Sequence, residues 1–134
     1  MISRTANNSF FRGLYFGAPA VAYAALIFFL SSQSKFPEEL PFFFGLDKII
    51  HCVEYFIFGA LVYRWMASSE RFSSRRTVLT ATIVVGVLYA FSDEWHQSFV
   101  PGRDASLWDG LFDSLGVLAA SFAYPYVRRG GPNL

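Results

Sequence analysis

The sequence predicts an all-α membrane protein, a small helical bundle of four transmembrane helices with both termini cytoplasmic. Three observations predict it. Hydrophobic residues make up 54 % of the chain and charged residues 16 %, where ordinary soluble domains carry about 25 % charged, so the composition suits a bilayer as solvent. The apolar residues gather into four stretches close to the length that crosses a hydrocarbon core, about 20 residues. Lys and Arg then fall mostly on one side of those stretches. With 134 residues, the chain has room for one domain spanning 1–134.

The first helix is expected over 13–30 (GLYFGAPAVAYAALIFFL), between Arg12 and the polar SSQSK stretch. It is longer than the apolar region of a signal peptide and no small-residue cleavage site follows, so it reads as a retained helix. Pro19 is tolerated there if neighbouring helices re-satisfy the backbone. The second helix is expected over 46–66, the third over 77–95 and the fourth over 107–127. Between the first two, the Pro-bounded PEELPFFFG reads as an interfacial segment with Phe42, Phe43 and Phe44 dipping into lipid. Cys52 is the only cysteine; it excludes an internal disulfide and reads as a small buried hydrophobe. No basic stretch interleaved with aromatics suggests nucleic acid.

Arg4, Arg12, Arg64, Arg71, Arg75, Arg76, Arg128 and Arg129 share one side, eight of the 11 basic residues, while Lys35, Lys48 and Arg103 lie on the other. The positive-inside rule makes the first side cytoplasmic. Tyr63, Trp65, Tyr124 and Tyr126 then sit near the inner interface, and Trp95 and Trp108 near the outer one. The carboxylates are skewed the opposite way, Glu70 being the single acidic residue on the basic side. Carboxylates contribute little to topology, so insertion alone does not demand this skew.

On the second helix Asp47, His51 and Glu54 follow i, i+4, i+7 spacing, one face over two turns, with Tyr55 beside them. Glu54 lies roughly 10 Å deeper than Asp47. An ionised carboxylate costs about 2.5–3.5 kcal/mol at the bilayer centre, so Glu54 should face the bundle or a wet cleft. Asp109 and Asp113 repeat the i, i+4 spacing on the fourth helix, and DEWHQSFVPGRDAS joins the third to the fourth. Pro101-Gly102 marks a turn that folds Arg103 toward the carboxylates. Three helices therefore aim polar groups at one membrane face, and such intramembrane ionisable residues point to a functional site. A buried network that fixes packing is the competing reading, with Arg103 paired to Asp93 or Asp109 and Lys48 to Asp47 or Glu94. His51, Glu54 and Asp113 are candidates for a His/carboxylate metal site, although no cofactor is identified. His96 reads as an exposed loop residue, and Ser31–Ser34 as a polar cap on the first helix, with lining of the cleft as the alternative.

SSQS after the first helix, DKIIHCVEY on the second, LYAFSDEWHQSFVPGRDASLWD across the third connection and the following LFDSLG together resemble VanZ-like membrane proteins over about residues 14–120. The family is named for a protein associated with resistance to the glycopeptide antibiotic teicoplanin. The resemblance implies a multi-pass protein of the bacterial cytoplasmic (inner) membrane and cell envelope. By motif position it favours Asp47, Lys48, His51, Glu54, Tyr55, Asp93, Glu94, Gln97, Pro101, Arg103, Asp109 and Asp113 as characteristic residues. It supplies no substrate. The expected function is binding or remodelling of an outer-leaflet amphiphile, a membrane lipid or lipid-linked envelope precursor, through an outward-facing polar cleft. The alternative is a membrane-embedded enzyme using acid–base or metal-assisted chemistry on a lipid head group. A transporter is disfavoured because four helices without a repeat offer no evident alternating-access machinery.

Overall fold

A chain crossing hydrocarbon must satisfy its backbone hydrogen bonds internally, and a helix does so within one segment. The computed structural model describes residues 2–34 and 45–129, with side chains over 10–34 and 45–127. Within these residues the chain forms four helices, α1 (Ile2–Ser31), α2 (Leu46–Ser68), α3 (Arg75–Gln97) and α4 (Leu107–Arg129), and no strand. Lys35, Glu38, Glu39 and the expected interfacial Phe42, Phe43 and Phe44 lie outside the described residues, as do the side chains of Arg4, Arg128 and Arg129.

Each helix extends beyond its apolar stretch, α1 most of all, because backbone hydrogen bonding continues into the polar flanks while hydropathy marks only the part suited to lipid. By length and composition Phe10–Ser31, Leu46–Ser68 and Arg75–Gln97 can each cross a membrane. The 23-residue α4 is less apolar because it carries Asp109, Asp113 and several hydroxyls, but it packs along both α2 and α3. The chain is a multi-pass, membrane-embedded helical bundle. Large apolar side chains cover its outside, with Leu88 66 % and Phe29 61 % exposed, a surface suited to lipid rather than water.

Contacts between helices set their directions. Tyr89 donates to the Ala24 carbonyl and Ser31 to Asp93, so α1 and α3 run parallel. His51 meets Asp113 and Tyr63 meets Tyr124, so α2 and α4 run parallel, opposite to the first pair. This up-down-up-down course brings the C-termini of α1 and α3 to the same end as the N-termini of α2 and α4. All the candidate site residues lie toward that end. Toward the other, the Arg64 guanidinium sits 4.8 Å from the Phe16 ring centroid and that of Arg75 sits 5.3 Å from Tyr126.

The most extensive packing is between α2 and α4, and small residues permit it. A Cβ at Gly59 would lie 3.0 Å from the Val117 Cα, and one at Gly116 would overlap the Cys52 carbonyl. Lipid tails are as apolar as the side chains, so close backbone approach and dispersion contacts must hold such helices together. Three buried hydroxyls on α3 and α4 are satisfied within their own helices: Thr82 donates to Val78 O, Ser114 to Gly110 O and Ser121 to Val117 O. We expect Gly116→Ala to destabilise the bundle by about 1–3 kcal/mol, since the obstacle is backbone rather than a side chain that can rotate away. The melting temperature of detergent-purified protein measures this.

Candidate functional site: a polar cleft and a buried carboxylate cluster

The helical periodicity of Asp47, Lys48, His51 and Glu54 covers an arc of α2 wide enough to meet two different neighbours. One edge faces α1 and the other faces α4. The polar residues therefore divide into two groups that share His51.

The first group forms a cleft of about 440 Å³ lined by α1, α2 and α3, with Arg103 from the α3–α4 connection. Its walls are apolar: Tyr23, Ile27 and Leu30 from α1 face Ile49, Ile50, Val53 and Ile57 from α2. Its polar lining is Ser31, His51, Glu54, Asp93, Gln97 and Arg103. Ile49, Ile50 and Val53 are each more than half exposed on the outer surface of α2, so the cleft borders the lipid-facing side of the bundle. Asp93, buried, accepts from Ser31 Oγ at 2.7 Å and from Gln97 Nε2 at 3.0 Å. This clasp ties the end of α1 to α3 at the cleft.

Arg103 reaches the cleft because Gly102, at φ 81°, turns the chain where a side chain would be strained. Its guanidinium donates to the Leu30 carbonyl at 2.8 Å and the Gln33 carbonyl at 3.0 Å. Carbonyls at the end of a helix lack the usual i+4 donor; the Leu30 carbonyl also accepts from the Gln33 N–H at 3.2 Å. The sequence directs Arg103 at carboxylates; the geometry closes it on carbonyls at the end of α1. Ser31 and Ser32 both donate to Phe28 O, as a polar cap would, and they also reach α3. Ser32 Oγ lies 3.0 Å from His96 Nε2. His96 is not a loop residue: α3 continues through it, and its ring stacks on Phe28 at 4.3 Å.

The second group lies between α2, α3 and α4, partly exposed at Asp47 and Lys48 and buried at Glu94 and Asp113. Lys48 bridges Asp47, at 2.9 Å, and Asp109, so its second partner is Asp109 rather than Glu94. His51 Nδ1 lies 3.0 Å from Asp113 Oδ1, and Asp113 is wholly buried. Glu94, 5 % exposed, accepts from the Ser106 backbone N–H through Oε2 at 2.9 Å. Donor atoms of His51, Glu94 and Asp113 lie within 4.8 Å of one another. Of the sequence-derived metal candidates, His51 and Asp113 fall in this group, while Glu54 lines the cleft and Glu94 stands in the third place. Tyr55, expected in the cleft, is fully buried in the core, its ring 5.9 Å from Phe58 and 6.4 Å from Tyr89.

A sequence model described as VanZ/LLP1 matches residues 14–128, which takes in α1 from its apolar stretch onward and every residue of both groups. The chain belongs to the VanZ/LLP1 family. No curated protein and no solved structure matches it. The residues that carry the VanZ resemblance, from DKIIHCVEY to LFDSLG, are thus the ones the bundle gathers at one end. Ser31 lines the candidate site, the lesser of the two readings of SSQS, while Tyr23 and the carbonyls of Leu30 and Gln33 complete it and were not legible as site residues. The SSQS motif was the available signal for Ser31. Tyr23 lies in an apolar run where nothing distinguishes it.

Proposed function

We propose that this VanZ-family protein binds an amphiphile of the outer leaflet of the bacterial cytoplasmic membrane, a lipid or lipid-linked envelope precursor, and presents or remodels it at the cleft. One observation carries the reading: the cleft joins an apolar wall bordering lipid to a polar end holding Arg103, His51, Glu54 and Asp93. Such a site suits a molecule with a greasy chain and a polar head, since a few placed polar groups orient a ligand within a mostly apolar pocket. Arg103 suits an anionic head group, because its planar fork matches phosphate or carboxylate. The His51–Asp113 contact at 3.0 Å favours a second reading, in which a carboxylate orients an imidazole for acid–base work on that head group.

Wild-type protein offered membrane-lipid extract and lipid-linked precursors should retain one class of amphiphile through detergent exchange, read by mass spectrometry. Retention without product supports binding, whereas a new head-group product supports the enzyme. Retention no greater than that of an unrelated helical bundle, with no new head-group product, would overturn both.

We further propose that the cleft end is extracytoplasmic and both termini are cytoplasmic, on the asymmetry of basic residues. In a Cys52→Ser background, cysteines placed at Ser34 or Ser98 should label with an impermeant thiol reagent in intact cells, and one at Ser73 should not. The reverse pattern would sink the outward-facing cleft.

A further inference from the structure

We propose that His51, Glu94 and Asp113 bind a first-row divalent cation, such as Zn²⁺ or Mn²⁺, between α2, α3 and α4. The first ground is geometry. One donor atom from each residue lies within 4.8 Å of the other two. Metal–ligand bonds of about 2 Å put the donors of one ion roughly 3.3 Å apart, so side-chain rotations of about an ångström would close the triangle.

The second ground is what the carboxylates lack. Glu94 Oε1 and Asp113 Oδ2 are buried and have no hydrogen-bond partner among the described residues. A buried polar atom left unpaired is costly, and a buried carboxylate oxygen more so. Two such atoms beside one imidazole mark a place where positive charge is missing. Lys48 does not supply it, being engaged by Asp47 and Asp109. The carboxylates Asp47, Glu54, Asp93, Glu94, Asp109 and Asp113 outnumber the permanent cations Lys48 and Arg103 near them among the described residues.

The donor set selects the ion. One imidazole nitrogen with two carboxylate oxygens suits zinc, manganese or iron, whereas calcium and magnesium favour all-oxygen surroundings. The second oxygen of Glu94 already accepts the Ser106 N–H at 2.9 Å, the kind of outer contact that holds a ligating carboxylate in place. Three protein donors leave coordination positions for water or an anionic group, and His51 also lines the cleft. The site stands whether or not the cleft takes an amphiphile.

The test uses full-length protein carrying a tag without histidines, stripped with chelator in detergent and then equilibrated with Zn²⁺ or Mn²⁺. The wild type should retain about one equivalent per chain by elemental analysis. Its melting temperature should rise by about 5 °C at saturation and fall back with chelator. Glu94→Gln and Asp113→Asn should each weaken binding at least about tenfold, one ligand's worth of about 1.4 kcal/mol or more, while Glu54→Gln binds as the wild type does. His51→Asn, at the partly exposed member of the triad, provides the same comparison if an amide variant fails to fold. No retained equivalent and no metal-dependent rise in the wild type would overturn the proposal. So would binding lost in Glu54→Gln but kept in Glu94→Gln and His51→Asn.

Discussion

Asp113→Asn and Glu54→Gln should fold as well as the wild type, or better, and lose most of the amphiphile the wild type retains, Glu54 as a cleft-lining residue and Asp113 through His51, which it meets and which lines the cleft. Asp113 is wholly buried and makes its hydrogen bond through Oδ1 to His51, while Oδ2 has no partner among the described residues. An asparagine keeps an oxygen for His51 Nδ1 and removes one negative charge from a site already crowded with carboxylates. A packing partner would behave differently, since removing one member of a buried ion pair costs about 3–5 kcal/mol. Glu54 lines the cleft, so the amide there changes a ligand contact more than a helix contact. In chelator-containing buffer, both variants should melt within about 2 °C of the wild type or above it, less than about 1 kcal/mol of change. Retained amphiphile should fall at least about tenfold, equivalent to about 1.4 kcal/mol. Variants that melt early yet hold the amphiphile normally would leave a structural network in place of a functional cleft.

Asp93→Ala should do the reverse and cost stability first. α1 meets α3 through few contacts, and several of them are polar: Ser31 to Asp93, Ser32 to His96 and Tyr89 to the Ala24 carbonyl. Asp93 accepts two of the hydrogen bonds at this joint, from Ser31 and Gln97. Removing it leaves the buried Gln97 amide without that acceptor and opens a gap beside Ser31, whose hydroxyl keeps its bond to Phe28 O. Hydrogen bonds to a charged group are worth about 1.5–3 kcal/mol each, partly offset here by relief of carboxylate crowding. A net loss of about 3 kcal/mol, or roughly 10 °C in melting temperature, is the expected result. Asp93→Asn, which keeps an acceptor for Ser31, should recover most of it. An Asp93→Ala variant that melts with the wild type would show that the clasp does not hold α1.

How much of this was legible before the fold was known differs from residue to residue. The four helices were legible because a bilayer imposes one solution on an apolar stretch of that length. Their ends were less so: hydropathy stops where the lipid does, and α1 continues to Ile2 and α3 through Gln97. The gathering of DKIIHCVEY, DEWHQ and LFDSLG at one end was legible too, since short connections between successive spans force the helices to alternate in direction. The i, i+4 spacing of Asp109 and Asp113, and the spacing of Asp47 with His51, correctly placed each pair along one side of its helix.

Periodicity could not say which neighbour each side would meet. Spacing fixes the angle between residues on a helix but not the rotation of that helix against the others. That rotation is set by the close approach of α2 and α4 at Gly59 and Gly116, where a backbone carbonyl occupies the space a side chain would need. It turns Tyr55 into the core, leaves Glu54 on the cleft toward α1, and puts Asp113 against His51. It also brings Glu94, rather than Glu54, within reach of that pair. The sequence by itself determined a four-helix membrane bundle with most of its carboxylates, His51, Lys48 and Arg103 toward one end and most of its arginines toward the other, because hydrophobicity and alternating direction are properties of each segment alone. Only the tertiary structure divided those residues into a cleft and a buried cluster, because that division depends on how closely two backbones approach.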